Sequence, residues 1–145
     1  LSELLRGRLT NLGKVTTMTT ATTQEKTKRP LSERGVDAAE KFLERKGLKI
    51  IAKNWTCDEG LIDLVCEDDD VLVFVEVKTR RSVEGVGFPE DAISKSKRER
   101  AERMAAEFLK TYDKVDVQVR FDIIAILTIS DDRAFLRYHI NAFGI

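Results

Sequence analysis

The stretch "VLVFVEVKTRR", residues 71–81, alternates in two registers at once. Neighbouring side chains of a strand point to opposite faces. Val71, Val73, Val75 and Val77 therefore share one face, and Leu72, Phe74, Glu76 and Lys78 share the other. Both faces begin apolar, which predicts an inner strand covered on both sides. A carboxylate and an ammonium on one side of its end must pair, meet solvent in a cleft, or bind something.

Other segments carry simpler patterns. "LSERGVDAAEKFLERKG" opens with Ser32 as a candidate cap and repeats Val36, Ala39 and Leu43 at helical spacing, widened by Ala38 and Phe42. Gly47 closes that helix. "LKIIAKNWT" and "GLIDLVCE" read as strands, joined to each other and to the 71–81 run by the turn-forming "CDEG" and "DDD". "RSVEGVGFPE" predicts a glycine-containing, mobile loop. A long helix is expected from about Asp91 to Tyr112, with Ile93, Ala101, Met104, Ala105 and Phe108 on its inner stripe. "VRFDIIAILTI" and "AFLRYHINAF" supply two further strands. Helix, three strands, helix, two strands predicts an α/β domain: a mixed central sheet of about five strands flanked by helices.

Residues 1–30 lack either period. They are rich in Thr and predict a disordered lead-in to a single domain over 31–145, with Met18 a candidate natural start. The tail shows no amphipathic arginine face and no apolar signal core, which speaks against a transit peptide and against secretion.

With 145 residues, 42% hydrophobic and 34% charged, the chain is long enough for one sizeable core. No apolar run approaches a bilayer span. Cys57 and Cys66 have neither metal-site nor redox spacing and fall out of register for a disulfide, which fits reduced cytoplasmic thiols. Net charge is zero, but Arg6, Arg8, Lys14, Lys26, Lys28 and Arg29 face only Glu3 and Glu25 before Pro30. Six cations against two carboxylates make the tail +4 and leave −4 for the rest. A nucleic-acid surface would have to be a local patch.

Asp63 interrupts an otherwise apolar strand, and twelve residues separate it from Glu76. A short turn would pair their strands and bring Asp63 towards Glu76 and Lys78. Asp63, Glu76 and the intervening carbonyl of Val77 make an oxygen-rich set suited to Mg²⁺ or Mn²⁺, which bind through few carboxylates plus water and phosphate. A lysine beside such an ion can orient the attacking water and offset phosphate charge. This is equipment for hydrolysing a phosphodiester.

An Asp followed by Glu-x-Lys on a strand resembles the restriction-endonuclease-like nuclease superfamily. The ordered set "GVDAAEKFLERKGLKIIAKNW", "GLIDLV", "VFVEVKTRR", "SKSKRERAERMAAEFL", "RFDIIAI" and "INAF" resembles the YraN-like family of small bacterial proteins of uncharacterised function. The resemblance covers roughly residues 35–143 and implies a restriction-endonuclease-like three-layer fold, similar to archaeal Holliday-junction resolvases. It also implies a metal-dependent endonuclease of bacterial cytoplasm acting on DNA, such as branched or repair intermediates, with RNA also open. The family's strand reads Gly-Glu-Ile-Asp, whereas Leu61 stands at the Glu position here and Glu59 precedes the glycine.

The remaining candidates have two readings each. Glu40 lies on the apolar stripe of the first helix, as a buried hydrogen-bonding group or as an outer metal ligand or water holder in the catalytic set. Lys97, facing inward, with Lys95 and Arg98 turned more outward, belongs either to a solvated basic helix or to a phosphate-contacting one. Arg80 and Arg81 would complete that nucleic-acid surface. Asp122, with Arg120 on its strand face, reads as structural. Three functions compete: a nuclease, a nucleic-acid-binding module with the same fold and little catalysis, and a protein-interaction adaptor.

Overall fold

The run Val71–Arg81 is one eleven-residue strand (β5), and it lies inside a sheet as its doubly apolar pattern requires. The computed structural model describes residues 9–12, 15–19, 29–83, 87 and 93–143. On one side β5 pairs antiparallel with β4 (Gly60–Asp68), which pairs antiparallel with β3 (Lys49–Cys57). On the other it pairs parallel with β6 (Gln118–Ser130), which pairs antiparallel with β7 (Arg133–His139). Asp69, at φ 51°, makes the tight β4–β5 turn. Cys57 faces Gly60 across the first hairpin and Cys66 faces Ile50, so the two thiols are separate and free. Burial pushes the Cys66 thiol up to about 12.

Two helices complete three layers. Helix α1 (Leu31–Arg45) buries Val36, Ala39, Phe42 and Leu43 against Leu64, Cys66, Val73, Val75, Ile124 and Leu136 of the sheet. Helix α2 (Lys95–Leu109) lays Ala101, Ala105 and Phe108 on the opposite face, against Val65, Leu72, Phe74 and Phe121. Trp55 and Phe74 both meet Phe108 edge-on, with ring centroids 5.3 and 5.6 Å away. Among the described residues no helix is long and apolar enough to cross a membrane.

The sheet departs from the five expected strands at one edge. Where a disordered tail was expected, β1 (Leu9–Leu12) and β2 (Val15–Thr19) form a hairpin, and β2 pairs antiparallel with β7. Threonine and valine are β-branched and suit an extended backbone. The exposed edge of β7 offers unpaired backbone groups that such a strand satisfies.

Other boundaries shift for local reasons. Pro30, not Ser32, precedes α1, and its carbonyl accepts the Arg34 N–H at 3.1 Å. Proline suits this position because it sets φ and donates nothing. Gly47 ends the helix at φ 94°. Helix α2 starts at Lys95 rather than Asp91, because the Ser94 hydroxyl accepts the Lys97 N–H at 3.2 Å. Residues 140–143 are a turn rather than a continuation of β7. Asn141 takes φ 54°, its N–H goes to Asp122 at 2.8 Å, and Phe143 stacks on Phe121. Of the mobile loop expected over 81–90, Arg81 is instead the last residue of β5, and 84–86 and 88–90 lie outside the described residues.

Gly35 marks where α1 meets β5. A Cβ there would lie 1.9 Å from the Thr79 hydroxyl oxygen and 3.0 Å from its Cβ. Gly35→Ala is therefore expected to lose about 1–3 kcal/mol, the range for overpacking, with much smaller loss in a Thr79→Gly background. Urea denaturation of the double-mutant cycle measures this; strictly additive losses would mean the helix is not pressed on Thr79.

Candidate functional site

The β4–β5 ladder stops at Leu64 opposite Val75. The next residues on the two strands are Asp63 and Glu76. Backbone pairing is replaced there by a side chain: Asp63 Oδ2 accepts the Val77 N–H at 2.7 Å. Asp63 shares strand parity with Val65, and Glu76 with Leu72 and Phe74, so both carboxylates turn towards α2. They line one cleft of about 220 Å³ together with Leu61, Lys97, Arg100 and Met104.

Helix α2 supplies the counter-charge. Lys97 Nζ lies 3.2 Å from Glu76 Oε1, with about a third of the glutamate exposed. The other oxygen of Glu76, Oε2, is buried and has no hydrogen-bond partner among the described residues. Lys78, two residues along the same face, meets Lys97, so two ammonium groups share this end of β5. Desolvation, then the Lys78 contact, hold the Lys97 ammonium below its usual range, against the pull of Glu76. Asp63 shifts the other way. Burial pushes its carboxyl up, the Val77 N–H opposes this, and the Glu76 charge adds to the rise.

Thus Asp63, Glu76 and Lys97 come together with Lys78 beside them, and Val77 anchors Asp63 through its N–H. Glu40 does not join them. It lies on the α1 side of the sheet, where Lys53 bridges it at 3.2 Å and also binds the buried Asp37. The partner is a lysine, supplied by β3. Arg80 reaches the Gly87 carbonyl at 3.3 Å, while Arg81 has the opposite strand parity and neighbours Arg34. Lys95 and Arg98 are exposed on α2, Lys95 at 3.9 Å from Glu99. Arg100, expected like Lys95 and Arg98 to face outward, lines the cleft; its place three residues after the inward Lys97 was the available signal.

Two other carboxylates near the cleft are committed. Glu59 pairs with Arg103 of α2 at 3.1 Å, so it does not replace the missing glutamate at Leu61. Asp122 is fully buried and saturated: Arg120 donates at 2.9 and 3.0 Å, Tyr138 at 2.5 Å and the Asn141 N–H at 2.8 Å. Its structural reading holds.

Among the described residues no three His, Cys, Asp or Glu side chains cluster. The pair formed by Asp63 and Glu76 nonetheless fits a small hard cation, since Mg²⁺ takes one or two protein carboxylates and keeps its waters. The partnerless Glu76 Oε2 is the oxygen that such an ion would satisfy.

Residues 35–126 match the Uncharacterised protein family UPF0102. The chain belongs to this family. A UPF0102 protein of Geobacter sulfurreducens is 41% identical over 115 residues, 79% of this chain and 89% of the relative. One of Syntrophomonas wolfei is 39% identical over 109 residues, 75% and 93% of the two chains. The UPF0102 match includes the cleft residues of β4, β5 and α2, so the cleft belongs to the shared domain rather than to an appendage.

The raised Asp63 pKa carries a stability consequence. Folding disfavours its charged form, so the fold binds more protons than the unfolded chain between the ordinary and raised values. Ionised Asp63 therefore costs stability above that window, and the cost disappears below it. Asp63→Asn keeps an oxygen for the Val77 N–H and should melt higher than the wild type at neutral pH. The difference should vanish as pH falls through the carboxylate range. Melting curves across pH test this; a gain independent of pH would place the Asp63 charge elsewhere in the balance.

Proposed function

We propose that this protein is a metal-dependent nuclease that hydrolyses phosphodiester bonds of DNA, with branched or repair intermediates as its substrates. One observation carries the reading: Asp63 and Glu76, from adjoining strands, face one cleft beside the Lys78–Lys97 pair. Asp63 and Glu76 would hold Mg²⁺ or Mn²⁺. When bound, that ion supplies a water of lowered pKa and positive charge against the phosphate.

The chain's own residues do the rest. The Val77 N–H fixes the direction of the Asp63 carboxylate, so that ligand needs no reordering. Lys97 neutralises Glu76 in the free protein, and a phosphate offers its ammonium a second anion. Lys78, close to Lys97, would orient a water or receive phosphate charge. The flanking Lys95, Arg98 and Arg100 of α2 and Arg80 of β5 extend positive charge from the cleft along the path a nucleic-acid backbone would take.

A second reading has its own observation. Leu61 lines the cleft and is 51% exposed, where the resembling family carries glutamate. An apolar side chain there removes a potential ligand, which favours a nucleic-acid-binding module with little catalysis.

Purified full-length protein with Mg²⁺ or Mn²⁺, tested on duplex, single-stranded, flap and four-way DNA, separates the two. Cleavage is expected. Glu76→Gln should lose metal affinity and cleavage together, while Lys78→Ala should keep the fold and lose about a hundredfold or more in rate, the scale for one positioned electrostatic group. Leu61→Glu should raise metal affinity and cleavage. Salt-sensitive binding with no cleavage by either wild type or Leu61→Glu would sink the nuclease and leave the binding module.

A further inference from the structure

The cleft is larger and more apolar than its carboxylate end requires. It measures about 220 Å³. An ion at Asp63 and Glu76, with roughly three or four waters of about 30 Å³ each, would fill about half of it. The other end has little to offer water. Asp122 lines it, but Arg120, Tyr138 and the Asn141 N–H already take that carboxylate. An ordered water needs several polar partners, so this end favours an apolar occupant.

The same elements build both ends. Leu61 shares a face of β4 with Asp63, and Phe74 shares a face of β5 with Glu76. Phe74 stacks on Phe121 at 5.5 Å and Phe121 on Phe143 at 5.4 Å, so three buried rings that hold one another in place back the apolar end. Nearer solvent are Leu61, 51% exposed, and Met104, whose sulfur would lie 3.5 Å from a Cβ at Gly60. Methionine is a flexible wall that adapts to an occupant. Along α2, Lys97, Arg100, Ala101 and Met104 stand at i, i+3, i+4 and i+7, on one face. Within about 10 Å of helix that face passes from two cations to an apolar end. A nucleotide carries the same division, with an anionic phosphate at one end and a flat base with apolar faces at the other.

We propose that the cleft takes one unpaired nucleotide of a DNA strand, its base against Leu61 and Met104 over the phenylalanine floor and its phosphate at the end formed by Asp63, Glu76, Lys97 and Arg100. Resting on the DNA reading above, this narrows the substrate. A base inside an intact duplex is stacked and paired, and drawing it into a pocket costs both interactions, whereas an unpaired base enters at little cost. Single strands, flaps and open branch points are therefore preferred to blunt duplex. Leu61 gains a role of its own: where a glutamate would be a ligand, the leucine supplies apolar wall for the base.

The test follows the methyl resonances of Leu61 and Met104 in the full chain, in Mg²⁺ at constant ionic strength. Deoxyadenosine 5′-monophosphate and, separately, deoxyribose 5-phosphate are added. The nucleotide should shift both methyls saturably through the ring current of its base and bind about tenfold tighter than the sugar phosphate, the scale for one stacked base. Leu61→Ala and Met104→Ala should each weaken the nucleotide about fourfold or more, as for one lost buried methylene, and leave the sugar phosphate unchanged. Arg100→Ala should weaken both ligands alike. In EDTA, where no strand is cut, a single strand should bind more tightly than a blunt duplex containing it. Equal affinity for the two small phosphates, methyls unmoved at saturation, or a duplex bound as tightly as the single strand overturns the base site. If DNA is bound and cut while those methyls stay still, the base site falls and the nuclease reading survives. If the mononucleotide moves them and no DNA is cut with Mg²⁺ or Mn²⁺, the base site stands and the nuclease reading falls.

Discussion

The two ladders that hold β5 have different lengths, and the position of the cleft follows from that mismatch. With β6, β5 pairs in parallel from Val71 opposite Gln118 to Arg81 opposite Thr128. With β4, pairing ends at Leu64 opposite Val75. Beyond Val75 the strand stays rigid on its β6 side, while β4 keeps its pairing to β3 as far as Gly60. A cleft opens between β4 and β5, and the Val77 N–H left on that side must find an acceptor. Asp63 supplies it. The same contact that satisfies the backbone orients a carboxylate, so this part of the site rests on the strongest-paired strand of the sheet rather than on a loop.

This arrangement explains what the sequence disclosed. Two superposed alternations in residues 71–78 required burial on both faces, and the polar residues at 76 and 78 could then lie only where that burial ended. The short "DDD" turn set the register that aligns Asp63 with Glu76. Where the outcome depended on a partner distant in sequence, the pattern was silent. Glu40 sits on a helix stripe of the right period, but the nitrogen that claims it belongs to Lys53 of β3, and nothing in helical spacing identifies it. The β1–β2 hairpin depends on an open edge at β7 that only the assembled sheet creates. Residues 140–143 resemble a strand in composition, yet the demand of buried Asp122 for another donor turns the chain at Asn141.

A zero net charge conceals opposing local fields. Acidic side chains are drawn inward to structural lysines and arginines, as at Asp37 and Asp122, or spent in surface pairs such as Glu67 with Lys49 and Lys114. Near the end of β5, Lys97 meets both Glu76 and a second ammonium, that of Lys78. Bulk charge thus says little about the face a polyanion would meet.

The buried polar atoms without hydrogen-bond partners sharpen this point. Among the described residues they are five, and one of them, Asp37 Oδ2, is compensated by an ion pair to Arg29. Of the remaining four, Glu76 Oε2 and Thr79 Oγ1 lie three residues apart on β5, and Arg34 Nε belongs to the residue beside the glycine that packs on Thr79. Random packing faults would scatter through the core. Here Glu76 Oε2 lies on the α2 side, where the Asp63–Glu76 cleft opens, while Thr79 and Gly35 meet where α1 is pressed onto the other side of the same strand end.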